Sequence, residues 1–266
     1  MMRKSKIALI GYGAIARDVL MTLRDTVFVE NIAVLHRTLP KQIEDQAINH
    51  FNTLEALRNW KPDLVIEAAG HEAVRNYVPL LLENGFPVLV SSVGALHDET
   101  LFENLLAKAE QGQARLLIPS GAIGALDYVR ACRFTKDQHI VYESRKPVQA
   151  WQKELAERGY DFRTLHEPVI LFEGMAREAA RLYPANLNVA ATLALAGIGM
   201  DQTHVRVVAD PSITANQHHI HIQSDHGQMS VTFENTVSPS NPKSSRIVSK
   251  SIVAALQHYF SPCQFL

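Results

Sequence analysis

Cysteine is scarce: Cys132 and Cys263 are the only two in 266 residues, and they lie far apart. That leaves no disulfide framework and no cysteine-based zinc site, and it fits a reducing cytoplasm. Long apolar runs are missing too. The most apolar stretch, "VAATLALAGIGM", falls well short of the ~20 residues that cross a bilayer and reads as a buried helix. The N-terminal "MMRKSKIALIGYGAIARD" has the basic, apolar, small order of a signal peptide. Its apolar segment "IALI" is too short for one, and a glycine turn follows at once. Charge of one sign is also lacking. With 26 Lys+Arg against 27 Asp+Glu, the formal net charge of -1 offers no general attraction to nucleic acid or to a membrane surface. What is present is an ordinary globular composition, 47% hydrophobic and 20% charged, in a chain long enough to bury a substantial core.

The first half alternates strands with helices. Lys6 to Ile10 is a compact apolar strand, and "GYGAIARDVLMTLRD" after it has helical spacing through Ile15, Val19, Leu20 and Leu23. A second strand spans Ile32 to Leu35. "FNTLEALRNW" reads as a helix, "DLVIEAAG" as a strand, "HEAVRNYVPLLLENG" as a helix closed by Gly85, and "PVLVSSVGAL" as a strand. "DETLFENLLAKAEQG" is a further helix, and "ARLLIPSGAIGALDYVRAC" repeats the strand, turn, helix order. Such alternation predicts right-handed βαβ units and a doubly wound parallel sheet, an α/β fold. After about residue 122 the pattern changes to "HVRVVADP", "QHHIHIQSD" and "GQMSVTFENTVSP", whose alternating apolar residues and turns predict a second α+β domain on a mostly antiparallel sheet. The closing "KSSRIVSKSIVAALQHYF" is an amphipathic helix.

"GYGAIA" supplies Gly11, Gly13 and Ala16 in the G-x-G-x-x-A spacing. The first glycine allows a tight turn, the second lets a pyrophosphate approach the backbone, and the small third residue lets helix and strand pack closely. Ala14 and Ile15 then open a helix whose free N–H groups favour anions. The spacing alone is weak. Following the first strand and opening a helix, it marks a Rossmann-type dinucleotide domain. The second strand ends in His36, Arg37 and Thr38 where an acidic residue usually binds the ribose hydroxyls. Arg37 could hold a 2′-phosphate, so the cofactor reads as NAD or NADP, against the alternative of a solvated loop. Ala68, Ala69 and Gly70, Ser92 to Ala95, and Gly121 to Ile123 follow other strands and are expected to line the cofactor channel. The domains divide at 1–121 (dinucleotide binding), 122–242 (substrate, catalysis, dimerisation) and 243–266 (a helix expected to return to the first domain).

"PSITANQHHIHIQSDHG" places His218, His219, His221 and His226 within nine residues. In an extended strand His219 and His221 share one face, and His218 shares the other with Ile220 and Ile222. Two histidines at i and i+2 lack the third ligand a metal site needs, and a pair on the solvent face accounts for them, so no metal is assigned. A lone histidine among isoleucines is either a satisfied core residue or the acid/base group that a dinucleotide enzyme needs near pH 7. The residues leave both open.

The chain resembles the L-aspartate dehydrogenases. The resemblance is carried by "GYGAIA", "SVGAL", "IPSGAIGALD", "SRKP", "YPANLNVAATLALAG" and "DPSITANQHHIHI", in that order over nearly the whole chain. It departs from the commonest pattern in Ala16, where a third glycine is usual. The resemblance implies that His218 of the Asn-x-His pattern is catalytic and that Ala122 and Asn188 contact the nicotinamide. It also implies a homodimer oxidising L-aspartate to iminoaspartate, the starting species of nicotinamide cofactor synthesis. For the two substrate carboxylates the polar segments nominate Arg145, Lys146, Lys243 and Arg246, and for Asn188 a helix cap is the alternative role. Three other functions remain open on the residues alone: a like-folded oxidoreductase of another small acid, a non-enzymatic NAD(P) sensor, and a metal-dependent hydrolase.

Overall fold

A computed structural model describes residues 4–38, 46–184, 186–238 and 241–264, with 241–243 described by backbone alone. The described chain divides into two units, residues 1–119 with 249–266, and residues 120–248.

The first unit runs β1 (Ser5–Ile10), α1 (Ala14–Arg24), β2 (Val29–Leu35), β3 (Ile48–Phe51), α2 (Leu54–Trp60), β4 (Leu64–Glu67), α3 (His71–Glu83), β5 (Val88–Val90), α4 (Glu99–Gln111) and β6 (Leu116–Leu117). All sheet pairs are parallel and the order is β3-β2-β1-β4-β5-β6, the doubly wound arrangement expected from strand–helix alternation. Strands β1, β2 and β4 are buried on both faces, which is why they read as unbroken apolar runs rather than alternating ones. Helix α1 turns Ala16, Val19, Leu20 and Leu23 inward at helical spacing. Each larger aliphatic among them contributes roughly 1.5–3 kcal/mol on burial. Registration sets the functional edge: Ile10 lies beside Leu35 and beside Glu67, so Gly11, His36 and Ala68 leave the sheet at one level.

In the first unit two details differ from the sequence reading, and in the second the residues from Lys243 to Ser245, read as the start of the closing helix, are strand. The four residues "INHF" form β3, an edge strand too short to show a period. The segment "PVLVSSVGAL" is strand only through Val90 and then a 3-10 turn, Val93–His97, because Ser92 N–H is drawn back onto the Glu67 carboxylate.

The second unit contains α5 (Leu126–Cys132), β7 (His139–Pro147), α6 (Gln152–Ala156), β8 (Val169–Met175), α7 (Ala176–Leu182), α8 (Asn188–Ala196), β9 (His204–Asp210), β10 (Asn216–Ser224), β11 (Gly227–Asn235), β12 (Val237–Ser238) and β13 (Asn241–Ser245). The final helix α9 (Ile247–Phe260) begins here and lies mostly in the first unit, where Lys250 Nζ donates to Thr22 Oγ1 at 2.5 Å. The main sheet has the order β11-β10-β7-β9-β8, antiparallel except for β7 beside β9. One face is buried and carries Ile140, Tyr142, Ser144 and Lys146 from β7 with His218, Ile220 and Ile222 from β10. Helix α8, apolar on nearly every side, covers it: a Cβ added to Gly197 at its end would stand 2.9 Å from Ile140 Cδ1. The other face is polar, with Glu143, Arg145, Arg206, His219 and His221.

Candidate active site

Beyond the carboxyl ends of β1, β2 and β4 lies a cavity of about 500 Å³ walled by Gly11, Tyr12 and Gly13, by Leu35 to Thr38, and by Ala68 and Ala69. Gly11 has φ +97°, and a Cβ there would meet Ala69 Cβ at 2.8 Å, so both turn and neighbour require glycine. At Gly13 the reason differs: nothing stands within 4 Å of the added Cβ, so the backbone there is open to close approach from the cavity. Gly13 caps α1 with no side-chain bond, and the first turn of α1, from Ala14 and Ile15, holds no acid. Its N–H groups and dipole are therefore available to an anion. These features fit a dinucleotide pyrophosphate.

At the ribose end the structure adds a partner that sequence reading missed. His36 is 7% exposed, and its Nε2 lies 2.8 Å from His50 Nδ1, with the rings stacked at 5.0 Å. Tyr12 closes the other side at 5.2 Å. Burial, and then His50, hold the His36 imidazole below its usual range, so that ring is neutral at neutral pH. Arg37 and Thr38 are exposed on the rim. No carboxylate follows β2 up to residue 38, the last described there. His50 comes from β3, the strand too short to recognise, and so carried no signal.

In the second unit His218 is 2% exposed on the buried sheet face, opposite Ser144 of β7 and Phe233 of β11. Its Nδ1 lies 2.8 Å from the Tyr142 hydroxyl, and the two rings stack at 12°. Its Nε2 is buried with no hydrogen-bond partner. Burial, then the Lys146 charge and then His219, push its pKa down to about 3, so the ring is neutral. Burial pushes the Tyr142 phenol well above its usual range, so it keeps its proton. When Nδ1–H donates to Tyr142 Oη, a bare lone pair remains on Nε2, which is what a base requires. In the reverse arrangement Nε2 carries the hydrogen.

Lys146 stands two positions beyond Ser144 on the same face, 2% exposed, its ammonium donating to Asn186 Oδ1 at 3.1 Å and lying 5.7 Å from the Trp151 ring centroid. The other nominated cations sit elsewhere. Arg145 is on the opposite face, bound to Asp210 at 2.5 Å and Glu143 at 2.9 Å. Arg246 is exposed before α9, and the Lys243 side chain lies outside the described residues. Asn188 opens α8, half-buried, and Ala122 is buried with its carbonyl accepting from Asn235 Nδ2 at 2.8 Å. His219 and His221 lie on the polar face, where His219 Nε2 lies 3.2 Å from Gln217 Oε1 and Nδ1 lies 3.0 Å from Thr232 Oγ1. His226, in the following turn, bonds Asp225. Among the described residues no three His, Cys, Asp or Glu side chains are grouped to hold a metal. Tyr142 and Asn186 were not picked out in advance, although the alternation of Tyr142, Ser144 and Lys146 in "VYESRKP" already marks one strand face.

Comparison with known proteins covers the same two units. The sequence profile described as aspartate dehydrogenase, C-terminal, matches residues 127–259, and that of the homoserine dehydrogenase NAD binding domain matches residues 11–119. L-aspartate dehydrogenase 2 of Bordetella bronchiseptica is 45% identical over 260 residues, spanning 96% of this chain and 97% of that protein. L-aspartate dehydrogenase of Pseudomonas aeruginosa is 39% identical over 261 residues, spanning 95% and 97%. The crystal structure of aspartate dehydrogenase from Thermotoga maritima superposes with a TM-score of 0.79 at 26% identity, covering 99% of this chain and 100% of that one.

Proposed function

The chain belongs to the L-aspartate dehydrogenase family, and from that premise we propose which residues carry the reaction. The enzyme is an NAD(P)-dependent L-aspartate dehydrogenase, oxidising the CH–NH2 carbon of L-aspartate to iminoaspartate, which water converts to oxaloacetate and ammonia. When bound, the nicotinamide ring supplies the hydride acceptor. Gly11, Gly13, Ala14 and Ile15 hold its pyrophosphate, Ala69 and Gly70 shape the adjoining turn, Arg37 sits at the ribose, and Ala122 and Asn188 serve the nicotinamide end. With no carboxylate between the end of β2 at Leu35 and Thr38 to repel a 2′-phosphate, both NAD and NADP are admitted.

His218 is the base. At neutral pH its unprotonated Nε2 accepts a proton from the substrate ammonium, once a substrate carboxylate at Lys146 offsets the charge that holds its pKa down, freeing the nitrogen lone pair that forms C=N as hydride leaves Cα. After releasing that proton to solvent, the same nitrogen takes one from the water that attacks the imine carbon and returns it to the nitrogen that departs as ammonia. Tyr142 orients the ring through Nδ1. Lys146 binds a substrate carboxylate: it is a buried cation on the His218 face, held in place by Asn186 Oδ1. The single observation that carries this reading is the buried Nε2 of a neutral His218 with no partner, on the same sheet face as Lys146.

The test is absorbance of reduced cofactor with L-aspartate, L-malate and other L-amino acids, using NAD and NADP separately, on wild-type and His218→Asn protein. Turnover on aspartate that persists in the variant would remove His218 from the chemistry. We assign the product to nicotinamide cofactor synthesis, since iminoaspartate is the unstable species such a route must intercept. The two unbridged cysteines support a cytoplasmic setting, and the polar sheet face of the second unit supports a homodimer. No described helix is long and apolar enough to cross a membrane.

A further inference from the structure

The carboxylate of Glu67 is fully buried at the end of β4, and two separate turns fill its acceptor positions. Oε1 accepts from Ala69 N–H and Gly70 N–H, each at 2.8 Å, and from the Ser92 hydroxyl at 3.0 Å. Oε2 accepts from Ser92 N–H at 3.1 Å. All four partners donate. Only the anion can accept from all of them, because a protonated carboxyl would turn its own O–H against a donor.

What these bonds hold is the floor of the nucleotide pocket. Gly70, at φ +128°, caps α3 with no side-chain bond, so the carboxylate is what anchors that turn from below. Gly11 seats its bare Cα against the same turn, with Ala69 Cβ and Ala68 O too near for any side chain. Ser92, on the other side, begins the 3-10 turn that ends β5. The sequence motif accounts for Gly11 and Gly13 but says nothing of what keeps Ala69 in place.

We propose that Glu67 is a positioning residue of the cofactor site: as a buried anion it clamps the turns after β4 and β5 into the shape that the glycine turn and the dinucleotide require. The inference rests on the cofactor assignment of that pocket. It carries a pH consequence, because burial pushes the carboxyl up more than its four donors pull it down, and so protonation comes above the ordinary glutamate range. On the elements packed around it the titratable groups are Lys6 on β1, His71, Glu72, Arg75, Tyr77 and Glu83 on α3, and His97 in the 3-10 turn, while β1 and β5 end in Ile10 and Val90.

The test is titration of the full chain with NADH and NADPH, followed by fluorescence from pH 8 to pH 5, on wild type, Glu67→Gln and Ser92→Ala. Glu67→Gln keeps the shape but sets an NH2 group against donors. It is expected to weaken cofactor binding about tenfold or more at pH 8, with kcat at saturating cofactor changed less than about threefold. Wild-type affinity is expected to fall on acidification with a midpoint that Glu67→Gln lacks and that Ser92→Ala, missing one donor, moves to higher pH. Both variants retain the His36–His50 pair, so only differences between profiles count. A folded Glu67→Gln that binds within twofold of wild type, or a midpoint unmoved by Ser92→Ala, overturns the proposal. Should Glu67→Gln fail to fold, the Ser92→Ala midpoint decides alone. Wild type that binds neither nucleotide at any pH would instead overturn the pocket reading itself.

Discussion

Replacing Lys146 with Met tests the substrate site with a built-in control for folding. Methionine keeps the length and the apolar stem beside Trp151, so packing changes little. Leaving Asn186 Oδ1 without its donor costs about 1–3 kcal/mol. That corresponds to a Tm drop of under about 12 °C for a chain of this size. Function should respond far more. A charge-assisted hydrogen bond to a carboxylate contributes about 1.5–3 kcal/mol, which is roughly tenfold to a hundredfold in KM for aspartate. Lys146 also holds the His218 pKa down, after burial itself, so its loss moves the acid limb of kcat/KM to higher pH. Thermal melts, with steady-state kinetics from about pH 9 down to about pH 4 and cofactor affinity measured alongside, check all three effects. A well-folded Lys146→Met whose KM for aspartate stays within twofold of wild type, with the acid limb unmoved, would refute both the carboxylate role and the electrostatic coupling.

His218→Asn should lower kcat by about 10²–10⁴ while leaving NADH binding within about twofold, as rapid-mixing kinetics and fluorescence titration would show. Stability should depend on pH through the same ring. Its folded pKa of about 3 lies below the unfolded value near 6.5, so its contribution is complete above pH 6.5 and is lost as pH falls toward 3. The slope approaches about 1.4 kcal/mol per pH unit, and urea melts of wild type between pH 7 and pH 5 should show a steepening that His218→Asn lacks. His36→Asp sets a carboxylate at the ribose end. At about 4 Å from a 2′-phosphate this costs enough to raise the Kd for NADP at least about tenfold, with that for NAD little changed, and parallel titrations would read the ratio.

Much of this was legible one residue at a time. Chain geometry repeats locally, so "KIALI" followed by "GYGAIA" already implies strand, tight turn and helix, and "QHHIHI" already separates His218 from His219. Neither needs knowledge of anything more than a few positions away. The resemblance to a family rested on equally local strings. The edge strand that brings His50 to His36 was hidden because four residues do not establish a period. Likewise "SSVGAL" looked like strand until a carboxylate 25 positions earlier drew its amide aside.

What the sequence by itself determined was the order of elements, the glycine turn, and which histidine faces inward. Tertiary structure alone decided that Tyr142 meets His218 across 76 residues, that Lys146 shares their face while its neighbour Arg145 is tied to Asp210 on the other, and that Glu67 clamps two turns. The reason is physical. Side-chain direction follows from backbone geometry over two or three residues, whereas proximity, burial and therefore pKa depend on which strands pair, and strand pairing is settled by the packing of the whole unit.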